Sequence, residues 1–182
     1  MTHPEAQQQE GRIVTVTERD LFACLYRTIP WARRCVIPHA PIGYANAEVG
    51  WDRTDKSTSI RYIDALVVRS NGDTWAVEIK VSISDLRREL AKPDKTVMWR
   101  AHTDFFYYLV TPDLLDVALA EIPRDIGVMT TDGYANTRTV IKRRPKRNPV
   151  TLPIPTDTWR RIASRYGSAH FDAILADKKV TQ

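Results

Sequence analysis

Ile60-Arg-Tyr-Ile-Asp-Ala-Leu-Val-Val68 and Thr74-Trp-Ala-Val-Glu-Ile-Lys-Val-Ser82 are two short runs rich in β-branched and aromatic residues, separated by Ser70-Asn71-Gly72-Asp73. Such runs flanking an Asn-Gly signal predict an antiparallel hairpin. Each carries charge where an apolar strand should have none: Asp64 in the first, Glu78 and Lys80 in the second. Ionised groups are expensive to bury without partners. Two carboxylates that meet can hold a divalent cation, and an ammonium beside them can position a water or a phosphate. The three residues therefore point to metal-dependent cleavage of a phosphodiester.

Alternation along the second run puts Trp75, Val77 and Ile79 on one face and Ala76, Glu78, Lys80 and Ser82 on the other. Glu78 and Lys80 then project together, about 6–7 Å apart along the strand. Asp64 joins them only in one register. A two-residue Asn71-Gly72 loop sets Asp64 opposite Ile79. A three-residue Ser70-Asn71-Gly72 loop, with Gly72 left-handed in a bulge, sets it opposite Glu78. The second register is expected, because it alone assembles a metal site.

The chain has 182 residues, enough for one domain with a substantial core. Its 43% hydrophobic and 27% charged residues are those of an ordinary globular protein. No segment approaches the roughly 20 apolar residues of a membrane span, and the polar first ten residues do not read as a signal peptide. A cytoplasmic protein with no membrane association is expected. Cys24 and Cys35 show no metal-ligand spacing and read as small core residues in a reducing compartment. A net charge of +5 is compatible with a polyanionic partner without requiring one.

Along the chain, residues 1–12 read as a disordered tail. Thr15 or Thr17 can start a helix, and Thr15-Val-Thr-Glu18 fits a capping box; the helix stripe is Leu21, Phe22, Leu25 and Ile29, stopped by Pro30. Cys35-Val-Ile-Pro38 reads as a short strand, and 38–58 as a turn-rich stretch. After the hairpin, Ser82-Ile-Ser-Asp85 signals a second capped helix with Ile83, Leu86 and Leu90 inward, closed by Pro93. Phe105-Phe-Tyr-Tyr-Leu-Val110 is a continuous apolar run, as in a buried strand. Thr111-Pro112 opens a helix to about Glu121. Strands follow at 126–130 and around 137–142. Lys142-Arg-Arg-Pro-Lys-Arg147 has five cations in six residues and leads a proline-rich linker to about residue 156. Asp157 caps a last helix, over 157–182, that carries Trp159, Ile162, Tyr166 and Phe171 and is expected to pack on the same domain. The coarse order is α-β-β-β-α-β-α-β-β-α, an antiparallel meander feeding parallel strands in an α/β sandwich.

This order and the Asp64…Glu78-Ile79-Lys80 signature resemble the PD-(D/E)XK nuclease superfamily. The stretches after Glu78, from Asp104 and from Ile126 resemble its MmcB-like DNA-repair branch. The likeness covers roughly residues 15–142, and Ile63 stands where the name-giving proline would be. It implies an α/β, restriction-endonuclease-like core (α-β-β-β-α-β) over residues 13–142, with a mixed central sheet flanked by helices. It further implies that Asp64 and Glu78 ligate Mg²⁺ or Mn²⁺ with the Ile79 carbonyl. Lys80 would orient or activate the attacking water and offset phosphate charge, and Glu18 would match an additional acid.

Glu18 is also explained as the capping partner of Thr15. Ser82, as a helix cap on the face of Lys80, could also touch a phosphate. Arg87, Arg88, Lys92, Lys95 and Arg100 are candidates for backbone contact with DNA or simply solvated charges, and His102 is a remote candidate base. Lys142, Arg143, Arg144, Lys146 and Arg147 form the better phosphate-binding block. The expected function is a metal-dependent deoxyribonuclease, an endonuclease by preference, in DNA repair, recombination or phage DNA processing. The alternatives are a catalytically silent DNA-binding subunit of the same fold and an α/β scaffold for a protein partner.

Overall fold

The hairpin forms where its turn signal falls. In the computed structural model, which describes residues 16–29, 34–42, 60–92, 94–133 and 138–178, β2 (Arg61–Arg69) and β3 (Thr74–Lys80) pair antiparallel, with Ala65 opposite Val77 and Val68 opposite Thr74. Arg69 accepts from Gly72 N and donates to Asp73 O, both at 2.9 Å, which closes a three-residue loop. Gly72 has φ +86°, a left-handed conformation that glycine adopts without steric cost. This is the register expected above, and its continuation sets Asp64 level with Glu78.

Six strands form one mixed sheet in sequence order: β1 (Arg34–Ile42), β2, β3, β4 (Phe105–Val110), β5 (Gly127–Thr131) and β6 (Thr139–Arg143). The β3–β4 and β4–β5 pairs are parallel and the others antiparallel. Parallel neighbours need crossovers. The first is α2 (Ile83–Leu90) with α3 (Asp94–His102); the second is a 3₁₀ turn at Pro112–Leu114 with α4 (Leu115–Glu121). Helices lie on both faces. Leu21, Leu25 and Ile29 of α1 (Glu18–Thr28 and the residue after it) pack with Val67, Val77, Ile79 and Leu109. On the other face Leu86, Trp99, Ala118 and Ile162 pack with Leu66, Ala76, Phe106 and Tyr108. Helix α5 (Thr156–Lys178) lies against the β1 edge.

Several expectations are corrected. β1 does not stop at Pro38 but continues to Ile42, because an edge strand tolerates prolines, which lack only a ladder donor. Of the two expected starts Thr17 caps the first helix, and its capping box is closed by Asp20 rather than Glu18. A separate helix, α3, follows α2; its residues carry no clear apolar stripe, so the sequence reading missed it. Thr111 makes no capping bond. Cys35 is exposed, and only Cys24 is in the core. The segment after β6 is neither helix nor strand, yet it is tied down: Lys146, Asn148 and Leu152 donate their N–H groups to Asp125, Asp104 and Ala101. The tail at 1–12, Thr15, Pro30, residues 43–58 and Pro93 lie outside the described residues.

Candidate metal centre

Asp64 occupies a local irregularity in β2. Its ladder with β3 ends at Ala65, and its pairing with β1 is broken at one point, between Pro38–Ala65 and Ala40–Ile63. The residue opposite that gap, His39, has φ +46°, a left-handed conformation uncommon outside glycine. Strict alternation would also put Ile63 on the face of Ala65 and Val67, yet Ile63 packs in the other cluster with Leu66. Released from both neighbours, the Asp64 carboxylate turns into the widening gap, where its Oδ2 accepts the Ile79 N–H at 2.7 Å.

Glu78 and Lys80 follow the predicted alternation, side by side on the face beneath α2. Lys80 Nζ donates to Glu78 Oε1 at 2.6 Å. It also lies 3.6 Å from Asp85 and 3.9 Å from Glu89, both on α2. Glu78, Lys80 and Glu89 are all buried. Burial, then the neighbouring Asp64 charge, pushes the Glu78 carboxyl up to about 7 in spite of Lys80. Burial likewise raises Asp64, with Glu18 adding to it and the Ile79 bond and Lys80 opposing it. Burial works against the Lys80 ammonium, but Glu78, Glu89 and Asp64 outweigh it and hold the group above the ordinary lysine range. These acids hold Lys80 as a cation.

On the other side, Asp64 meets two further groups. One ligand atom each from Glu18, His39 and Asp64 lie within 4.8 Å of one another. Glu18 reaches this position because the cap uses Asp20 instead, leaving the first residue of α1 pointing at the strand ends. His39 was not singled out in the sequence; the only signal is its place between two prolines on an edge strand. Thus Asp64 links two clusters, Glu18 and His39 on the α1 side and Glu78 and Lys80 on the α2 side, rather than forming a simple pair with Glu78.

These groups fit a divalent cation. The described bonds use one oxygen each of Asp64 and Glu78, leaving Oδ1 and Oε2 for a ligand. Five carboxylates (Glu18, Asp64, Glu78, Asp85 and Glu89) face Lys80, a histidine and Arg88, which pairs with Asp85, still an excess of negative charge that a hard cation would offset. A cavity of about 190 Å³ opens beside Glu78, lined also by Arg61, Tyr62, Ile63, Glu89 and Thr96.

The predicted DNA-contacting residues fare unevenly. Ser82 is a working N-cap, accepting from Asp85 N. Arg87 grips Glu121 with three hydrogen bonds, Arg88 pairs with Asp85, and Arg100 with Asp125. The Lys95 side chain lies outside the described ones. Arg143 is engaged within the fold: its guanidinium donates to the carbonyls of Leu119, Ile122, Pro123 and Ile126, closing the end of α4. Arg147 is exposed but paired, to Asp73 and Asp104, and lies over the Phe105 ring. Lys142, Arg144 and Lys146 are exposed. The block ends level with Trp75 and Phe105, five residues along the sheet from Lys80, or about 17 Å. Its Arg143 end is level with Glu78, but three strands across the sheet, about 14 Å away. His102 is buried, with Nδ1 2.6 Å from the Pro153 carbonyl, which is a structural role.

A family model described as DNA repair protein MmcB-like matches residues 56–170. No curated protein matches the chain. Among solved structures, a protein of unknown function from Silicibacter pomeroyi superposes with a TM-score of 0.53 at 12% identity, covering 88% of this chain and 90% of that one. At that identity the likeness concerns the fold alone. No helix among the described residues is long and apolar enough to cross a membrane.

Proposed function

The chain belongs to the MmcB-like DNA repair protein family, and from that premise we propose that it is a metal-dependent deoxyribonuclease with a restriction-endonuclease-like core. The observation that carries this reading is the placement of Asp64 and Glu78 at the opening between β2 and β3, with the Lys80 ammonium bonded to Glu78. Mg²⁺ or Mn²⁺ would be held by Asp64 and Glu78 with the Ile79 carbonyl, and would supply charge neutralisation at the phosphate and a more acidic bound water.

The protein's own residues do the rest. The Ile79 N–H fixes the Asp64 carboxylate in one orientation. Lys80, held protonated by the acids around it, donates to a phosphate oxygen or an attacking water and stabilises the charge that builds in the transition state. Asp85 and Glu89 keep that ammonium on the Glu78 side of the site. A nuclease should cleave labelled linear, nicked, single-stranded or branched DNA only with Mg²⁺ or Mn²⁺, and Lys80→Ala should abolish the reaction. Cleavage that persists in Lys80→Ala, or in excess chelator, would sink the reading.

One observation favours a silent DNA-binding subunit instead: Lys80 is engaged by three carboxylates, a closed ion-pair network. DNA binding without cleavage by the wild-type protein, under every metal condition, would select that reading.

A further inference from the structure

The described surface offers a second charged feature, on the last helix rather than in the 142–147 block. Arg160, Arg161 and Arg165 of α5, with Ser164, line a cleft of about 570 Å³ whose opposite wall is Pro41 of β1 and Tyr62 of β2. Pro41 and Tyr62 are paired across the two strands. Arg160 and Arg161 share the one carboxylate of Asp157. Tyr62 is 56% exposed, a large aromatic ring open to solvent on the face opposite the buried Ile63.

The cleft adjoins the acidic centre at two points. Arg165 Nη1 donates to the backbone carbonyl of His39 at 2.8 Å, the residue that meets Asp64 and Glu18. Tyr62 lines both this cleft and the cavity beside Glu78. One tyrosine therefore stands between an arginine-lined groove and the carboxylates.

We propose that this cleft seats a single-stranded segment of DNA, with phosphates on Arg160, Arg161 and Arg165 and an unpaired base stacked on Tyr62. The proposal rests on the DNA-directed reading above. Guanidinium groups bind phosphate oxygens in two-point fashion, and an exposed aromatic ring beside such a track is the recurring platform for unpaired bases. A strand lying on α5 and passing Tyr62 would arrive at Glu78 with a phosphate over the cavity. A rigid duplex keeps its bases stacked inside and gives Tyr62 nothing to bind.

The test is fluorescence anisotropy with the full chain, in chelator so that nothing is cut, using a labelled single strand and the duplex of the same length. Tyr62→Ala, Arg160→Ala and the Arg160→Ala/Arg165→Ala pair should each weaken single-strand binding, by about tenfold for the tyrosine. Tyr62→Phe should bind like wild type. Tyr62 and Arg160 are exposed, so these variants should fold, as circular dichroism would verify. If wild type binds the single strand and all three variants bind equally well, the cleft is not the seat and the proposal is overturned while the nuclease reading stands. Preference for duplex with Tyr62→Ala unchanged also overturns it. If wild type binds neither DNA, the DNA-directed reading itself fails.

Discussion

Asp64 Oδ2 accepts the backbone N–H of Ile79 at 2.7 Å, a side chain standing in for the ladder bond that β2 no longer supplies. The carboxylate thus serves the sheet with one oxygen and is left the other for a ligand. Removing the acceptor should cost about 1.5–3 kcal/mol, the net worth of a hydrogen bond made to a charged group. Asp64→Asn, which keeps an oxygen acceptor, should unfold in urea close to wild type, whereas Asp64→Ala should be less stable by that amount. Both should lose the Mg²⁺-linked rise in melting temperature.

Glu78 gives a pH dependence of defined sign. Its carboxyl is raised from an ordinary 4.5 to about 7 in the folded, metal-free protein, so the folded state binds the proton more tightly than the unfolded chain. Its contribution is fully present below about 4.5 and is lost as pH rises through 7, worth at most about 3 kcal/mol. The melting temperature in chelator should therefore carry a downward component between these values that Glu78→Gln removes. Mg²⁺ must displace the same proton, so calorimetric affinity should rise across that window and proton release should be measurable.

Glu18 and His39 should contribute to the cation without controlling the fold. Glu18 is exposed at the start of α1, where its charge is worth no more than about 1 kcal/mol to the helix. Glu18→Gln and His39→Ala should each weaken Mn²⁺ binding several-fold by calorimetry, and the neighbouring Arg19→Gln should not. Unchanged Mn²⁺ affinity in both would confine the centre to Asp64 and Glu78.

Arg143 and its neighbours should separate cleanly. Arg143→Ala deprives four carbonyls at the end of α4 of their donor and should lower stability by about 1.5–3 kcal/mol. Lys142→Ala/Arg144→Ala/Lys146→Ala removes exposed charge and should leave the urea midpoint within about 0.5 kcal/mol. If the triple variant instead lowers the salt dependence of DNA binding, the basic block contacts phosphate after all.

The sequence by itself determined what short-range physics controls. Alternation placed Glu78 and Lys80 on one face, the Ser70-Asn71-Gly72-Asp73 signal marked the hairpin turn while leaving two registers open, and continuous apolarity marked β4 as buried. Those signals depend on residues two to four apart, and a chain carries them openly. Tertiary structure decided where each arginine is used, because Arg143, Arg147 and Arg165 bond to atoms 17 to 126 positions away. It also decided that Thr17 rather than Thr15 caps α1, freeing Glu18, and that His39 takes a left-handed turn opposite Asp64. Helix α3, without a clear stripe, owes its place to burial of Trp99 and His102 against the sheet and the Pro153 carbonyl. Propensity and period cannot announce such contacts, because their partners lie on other elements and meet only when the sheet has closed.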